Sequence, residues 1–155
     1  MAVEVGVMTP LEWPWLAARS AATAWAHVEP ALRAWTTPAA VAARAEQNLR
    51  ALLAQPGSAA LVARADGVAV GYLVVALVPD ELTGLPTGLF YDIYVEPSYR
   101  GTGVSDRLTA AGEAHCRAHG ARVVRRFVDP ANTPSLRHAL RDGCRVERLA
   151  LVKAL

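Results

Sequence analysis

Residues 94–108 read YVEPSYRGTGVSDRL, and this stretch holds chemistry that residue types and spacing can specify. A strand-like run turns through Pro97, passes Arg100, Gly101 and Gly103, and enters a helix whose apolar stripe includes Leu108. The start of a helix leaves backbone N–H groups without intrahelical partners, and the macrodipole adds partial positive charge there. Glycines at 101 and 103 remove the side chains that would hold an anion away from those amides, and Arg100 adds a full positive charge beside them. A diphosphate suits such a seat. No Gly-Lys-Ser/Thr ending and no GxGxxG fingerprint with its acidic partner is present, so neither P-loop nor Rossmann binding is expected. A plain strand-to-helix connection with a solvated arginine would need similar residues, and the surrounding elements have to decide between the two.

Those elements follow from pattern. AVEVGV alternates as a first strand, and Thr9-Pro10-x-Glu12 opens a helix with a capping box. Thr37-Pro38 repeats the device, and Val41, Ala45, Leu49 and Leu52-Leu53 keep helical spacing until QPG. The intervening HVEPALRAWTTP is loop or broken helix. Two strands joined at Asp66-Gly67 form a hairpin, the second apolar on both faces and therefore central. LFYDIYV is the next strand. Its alternation predicts Phe90, Asp92 and Tyr94 on one face and Tyr91, Ile93 and Val95 on the other. A helix from Gly103 to His119 follows, with Val104, Leu108, Ala111, His115 and Ala118 on its inner stripe and Gly120 as its stop. ARVVRRFV is a strand, Thr133-Pro134 starts a last helix, and CRVERLALVKAL is expected to close the chain as a strand. The order β-α-α-β-β-β-α-β-α-β describes a mixed α/β domain spanning residues 1–155.

With these neighbours the loop Arg100-Gly101-Thr102-Gly103-Val104-Ser105 resembles the phosphate-binding motif of the GNAT superfamily of acyl-CoA-dependent N-acyltransferases, Ser105 departing from the usual small last residue. A later motif of that family, Asn, a small residue three on, Tyr four further and Gly-Phe four beyond, is matched by Asn132, Ser135, Ala139 and Gly143-Cys144. The resemblance implies a single N-acetyltransferase domain moving an acetyl group from acetyl-CoA to a primary amine by direct attack in a ternary complex. It assigns Arg100 to Ser105, Asn132 and Ser135 to the coenzyme, with backbone groups near Ile93, Tyr94 and Val95 pairing with the pantetheine arm as with another strand. Asp92 becomes the candidate base or water-orienting group; an acid paired structurally with an arginine is the competing reading. Tyr94 and Trp35 become candidates for the acceptor pocket, which the family builds on its first two helices and their loop, although Tyr94 serves equally as a core aromatic. The phenol by which the family often protonates the departing thiolate has no counterpart, because position 139 is alanine. His138, its neighbour, points roughly 100° away around the helix and reads as a surface or structural residue, and Cys144 as a small substitute for phenylalanine. A catalytically weak or inactive coenzyme-binding sensor of the same fold is the second reading.

Composition narrows the partners. The 155 residues include 16 basic and 14 acidic side chains, a net charge of +2, which lacks the dense positive surface that nucleic-acid binding needs. Cys116 and Cys144 form no CxxC pair and the histidines show no metal-ligand spacing, so neither a metal nor a disulfide framework is expected. No apolar run reaches membrane-spanning length and the first residues lack a leader pattern. A cytoplasmic protein with a small-molecule or peptide amine as acceptor is expected, and a homodimer stays open.

Overall fold

The computed structural model describes residues 2–155. β1 is Val3–Val7, α1 Trp13–Ala24, α2 Pro38–Leu53, β2 Ala59–Ala65, β3 Val68–Pro79, β4 Pro86–Val95, α3 Val104–Ala118, β5 Val124–Arg126 and α4 Thr133–Arg141. One sheet runs in the order β1-β2-β3-β4-β5, antiparallel throughout except for the parallel β4–β5 pair. α1 and α2 cover one face of it, where Leu16 and Leu49 pack with Val62, Tyr72 and Val74. α3 covers the other, where Val104, Leu108 and Cys116 pack with Leu73, Val75 and Phe90.

Local signals start and stop these elements as the spacing predicts. The Thr9/Glu12 capping box forms at the 3₁₀ turn Pro10–Glu12 that leads into α1, and the Thr37 hydroxyl accepts from the Ala40 amide at 3.2 Å. Asp66 and Gly67 both adopt positive φ in the β2–β3 turn. β3 is buried on both faces from Val70 to Ala76, as a central strand should be. At α4 the cap is Asn132 rather than Thr133, its side-chain oxygen accepting from the Ser135 amide.

Three expectations are corrected. First, the register jumps from Val74↔Asp92 to Val75↔Phe90, so Tyr91 is a β-bulge in β4. The extra residue reverses the alternation: Phe90 faces α3 together with Ile93, while Asp92 and Tyr94 face the α1 side with Tyr72. Second, the inner stripe of α3 is centred on Val104, Leu108, Gly112 and Cys116, leaving Ala118 exposed and His115 half-buried, its Nε2 2.7 Å from the Gly57 carbonyl. Third, residues 144–155 form no strand. β5 pairs over only three residues. The segment is tied to its surroundings by side chains instead, Arg125 donating to Glu147 at 2.7 and 2.9 Å and Arg148 to Glu81 at 3.3 Å, with Leu149 and Leu151 left exposed.

Gly112 sets how closely α3 approaches the sheet. A Cβ there would lie 2.5 Å from Leu73 Cδ2 and 2.9 Å from the Phe90 ring, and neither neighbour is free to move in a packed core. Gly112→Val is therefore expected to lower unfolding stability by about 1–3 kcal/mol, read as a lower urea midpoint with unchanged slope.

Candidate active site

β4 and β5 are joined only at Gly88↔Val124, Leu89↔Arg125 and Phe90↔Arg126. Beyond the bulge the two strands part, and β4 presents an edge without a ladder partner from Tyr91 to Val95. The Glu96 amide donates to the Val70 carbonyl at 2.9 Å. Because successive residues alternate sides, Asp92, Tyr94 and Glu96 direct their backbone groups to β3, and those of Ile93 and Val95 turn to the open edge. Arg100 confirms the direction by donating from Nε to the Val95 carbonyl at 3.1 Å. Of the three residues assigned to backbone pairing, Ile93 and Val95 thus lie on the open edge and Tyr94 does not.

This edge leads to the N-terminus of α3. Gly101 and Gly103 have φ of 75° and 85°, and a Cβ on either would meet nothing within 4 Å. Gly103 is the N-cap and no side chain caps the helix, so the first-turn amides at Val104, Ser105 and Asp106 face outward without a competing oxygen. The Val104 side chain is in the core and offers only its amide, while the Thr102 hydroxyl donates to the Tyr99 carbonyl at 2.6 Å. Left-handed backbone, absent side chains and unshielded helix amides fit a diphosphate.

At the other end of the edge lies a cleft lined by His27, Tyr91, Asp92, Arg126, Asn132 and Ser135, among others. Asn132 and Ser135 therefore share a cleft with the bulge, separate from the glycine loop. Asp92 is largely enclosed, and its Oδ2 accepts from the Tyr72 hydroxyl at 2.9 Å. Burial pushes its carboxyl above the ordinary range; the Ser20 and Tyr72 hydroxyls and the nearby His27 offset this in part. Burial and the adjoining Asp92 likewise drive the Tyr72 phenol upward, so it stays protonated and donates. Tyr94 stacks on Tyr72 at 5.7 Å and donates to Glu96 Oε2 at 3.0 Å. Glu96 also accepts from Trp15 Nε1 and Arg19 Nε. Its carboxyl lies below the ordinary range: burial works to raise it, and the Arg19, Tyr94 and Trp15 hydrogen bonds outweigh that. The acid with a structural arginine is thus Glu96, and Asp92 has none. Trp35 is 86% exposed at the end of the 3₁₀ segment Pro30–Trp35 and does not line the cleft.

His27 and Arg126 were not legible as site residues. His27 ends a 3₁₀ turn after α1, where the sequence shows only a helix terminus. Arg126 had one signal, an arginine on the inward side of a short strand. Among the described residues no group of three or more His, Cys, Asp or Glu is placed to hold a metal, and no helix is long and apolar enough to cross a membrane.

Comparison with known proteins defines the class first through the fold. A putative acetyl transferase from Pyrococcus furiosus superposes with a TM-score of 0.83 at 18% identity, over 99% of this chain and all of that one. Aminoglycoside N-acetyltransferase AAC(6')-Iy, solved in complex with CoA, gives 0.73 at 23% identity over 98% and 94%. This chain shares the fold of both proteins. More particularly, the model of the Acetyltransferase (GNAT) family matches residues 21–143, and the chain belongs to that family. A mycothiol acetyltransferase from Thermomonospora curvata is 33% identical over a 125-residue alignment that covers 74% of this chain and 37% of that protein. The chain thus spans little more than a third of that relative's length.

Proposed function

We propose that this domain is an acetyl-CoA-dependent N-acetyltransferase acting on a primary amine by direct attack in a ternary complex. The observation that carries the reading is the continuity of the unpaired β4 edge, from the bulge at Tyr91 and Asp92 to the glycine-opened amides of α3. Five residues of strand extend about 17 Å, a track suited to an arm lying as an added strand with its diphosphate at one end. Acetyl-CoA supplies an activated thioester carbonyl. Ile93 and Val95 offer backbone groups along the arm, and Gly101, Gly103, Val104 and Ser105 offer amides to the diphosphate, with Arg100 and Thr102 beside them. Asn132 and Ser135 line the cleft at the far end, where the acyl group would lie.

Asp92 stands at that end on the α1 side, so an amine entering from α1 and α2 meets a carboxylate before it meets the thioester. A carboxyl raised by burial is a better proton acceptor than an ordinary one. Tyr72, held protonated, fixes its orientation. The relatives named for mycothiol and aminoglycoside acetylation support a small-molecule amine as acceptor. Release of thiol from acetyl-CoA, followed over a panel of amino sugars, amino acid amides and peptides, tests the reading. Amine-dependent release supports it; tight acetyl-CoA binding with no release for any amine favours the sensor.

A further inference from the structure

Ala139, where the family often has its phenol, is 3% exposed, and the last helix therefore offers no proton donor at that position. Arg126 approaches the same region from β5. It stands opposite Phe90 in the last pair before the strands part, its side chain is 11% exposed, and it lines the cleft with Tyr91, Asp92, Asn132 and Ser135. Its guanidinium lies 5.3 Å from the centre of the Phe90 ring. One terminal nitrogen donates to Asp142 Oδ2 at 2.6 Å and the other lies 3.5 Å from His138 Nδ1. His138 precedes Ala139 in α4, and Asp142 is the C-cap of that helix. The Nε is buried without a hydrogen-bond partner, and a buried donor left unpaired is a cost that an entering acceptor relieves.

With the diphosphate at α3 and the arm along β4 from Val95 toward Tyr91, the sulfur end of the coenzyme comes to the apex where the strands meet. We infer that Arg126 is the catalytic residue that holds the departing thiolate, the role for which position 139 has no phenol. This rests on the acetyl-CoA reading above. In the transfer the amine nitrogen bonds to the thioester carbon, the carbon–sulfur bond breaks with its electron pair on sulfur, and the amine proton passes to Asp92 or through it to water. A guanidinium donates hydrogen bonds while keeping its proton, so the thiol leaves as an anion paired with Arg126 and takes its proton later from solvent. A charge-assisted hydrogen bond in an enclosed cleft is suited to this. The other charged or titratable groups around the apex are Tyr91 and Asp92 on β4, His27, Asp129, His138 on α4, Asp142 at its C-cap, and Asp106 on α3, which lies 3.0 Å from His138 Nε2. The acids among them oppose a thiolate, which makes the guanidinium the group that must outweigh them.

The test needs no acceptor. Free CoA is bound to the protein and its thiol titrated by ultraviolet thiolate absorbance, after subtraction of the coenzyme-free protein with its own Cys116 and Cys144. The bound thiol is expected to ionise at least about one pH unit below free CoA, a tenfold shift in its equilibrium. Arg126→Met and Arg126→Gln abolish that shift while binding CoA within about threefold of wild type, two variants being used so that the result does not hang on the fold of one. Asp142→Asn, which removes the ion pair but keeps the guanidinium, retains it. Equal thiol titration in wild type and both Arg126 variants overturns the inference and leaves the acetyl-CoA reading standing, as does loss of the shift in Asp142→Asn to the same extent. A wild-type protein that binds no CoA overturns both together.

Discussion

Asp92→Asn is expected to lower kcat by about 10²–10⁴-fold, the span of a positioned general base, with KM for acetyl-CoA within about threefold. Asparagine matches the shape of aspartate and still accepts from Tyr72 through its amide oxygen, so the cleft is kept and only the proton acceptor is lost. In the wild type the rate should fall as pH falls through the carboxyl's raised pKa, at a pH above the ordinary value near 3.9. Asp92→Asn should lose this acid limb. Stability should move the other way. A carboxyl whose folded pKa is raised favours the folded state in its neutral form, and that contribution is lost as pH rises through the folded value. Above that value the wild type holds a desolvated charge that the variant lacks. The melting temperature of Asp92→Asn at pH 8 should therefore equal or exceed that of wild type, the difference shrinking toward acid pH. A variant with nearly full kcat and an unchanged acid limb removes Asp92 from the chemistry, and one with a lowered melting temperature marks it as a structural partner of Tyr72.

The second large effect concerns the anion seat. Gly103→Glu places a carboxylate before the first-turn amides of α3, where a Cβ meets nothing within 4 Å and no clash arises. Two like charges about 4 Å apart near a protein surface repel by about 4 kcal/mol, and Arg100→Ala removes an exposed attraction of up to about 1 kcal/mol. The double variant should weaken acetyl-CoA binding by at least a hundredfold in calorimetry, a conservative conversion of those figures at about 1.4 kcal/mol per tenfold. Strain has to be separated from charge, because any side chain at a φ of 85° costs roughly 1–2 kcal/mol. Gly103→Ala carries that strain without the charge and should lose far less affinity. Equal affinity in the double variant and the wild type would place the diphosphate elsewhere.

Much of the architecture was legible because its signals are local. Thr9-Pro10 sets a helix start through the Glu12 carboxylate reaching back to the Thr9 amide and hydroxyl, Thr37-Pro38 through a hydroxyl that accepts from an amide in the same turn, and Asp66-Gly67 sets a hairpin through two positive φ angles. Gly101 and Gly103 announce an open helix terminus for the same reason: the conformation and the missing side chain belong to the residues themselves. The glycine-opened helix start of the candidate site was thus readable from residue order.

The rest depended on groups far apart in the chain. One extra residue at Tyr91 reversed the faces of β4, a matter of register against β3 that the alternation of FYDIYV does not reveal. Asp92 meets Tyr72 across twenty residues, and Glu96 instead takes the arginine partner, from α1. Residues 144–155 show strand composition, but β5 pairs over only three residues and the segment joins no ladder. By itself the sequence determined which backbone segments can turn, begin a helix or alternate, since these are choices among a residue's own torsions. Only the tertiary structure decided which side chains share a cleft and which carboxyl loses its water, because desolvation and pairing are properties of neighbours brought together by folding.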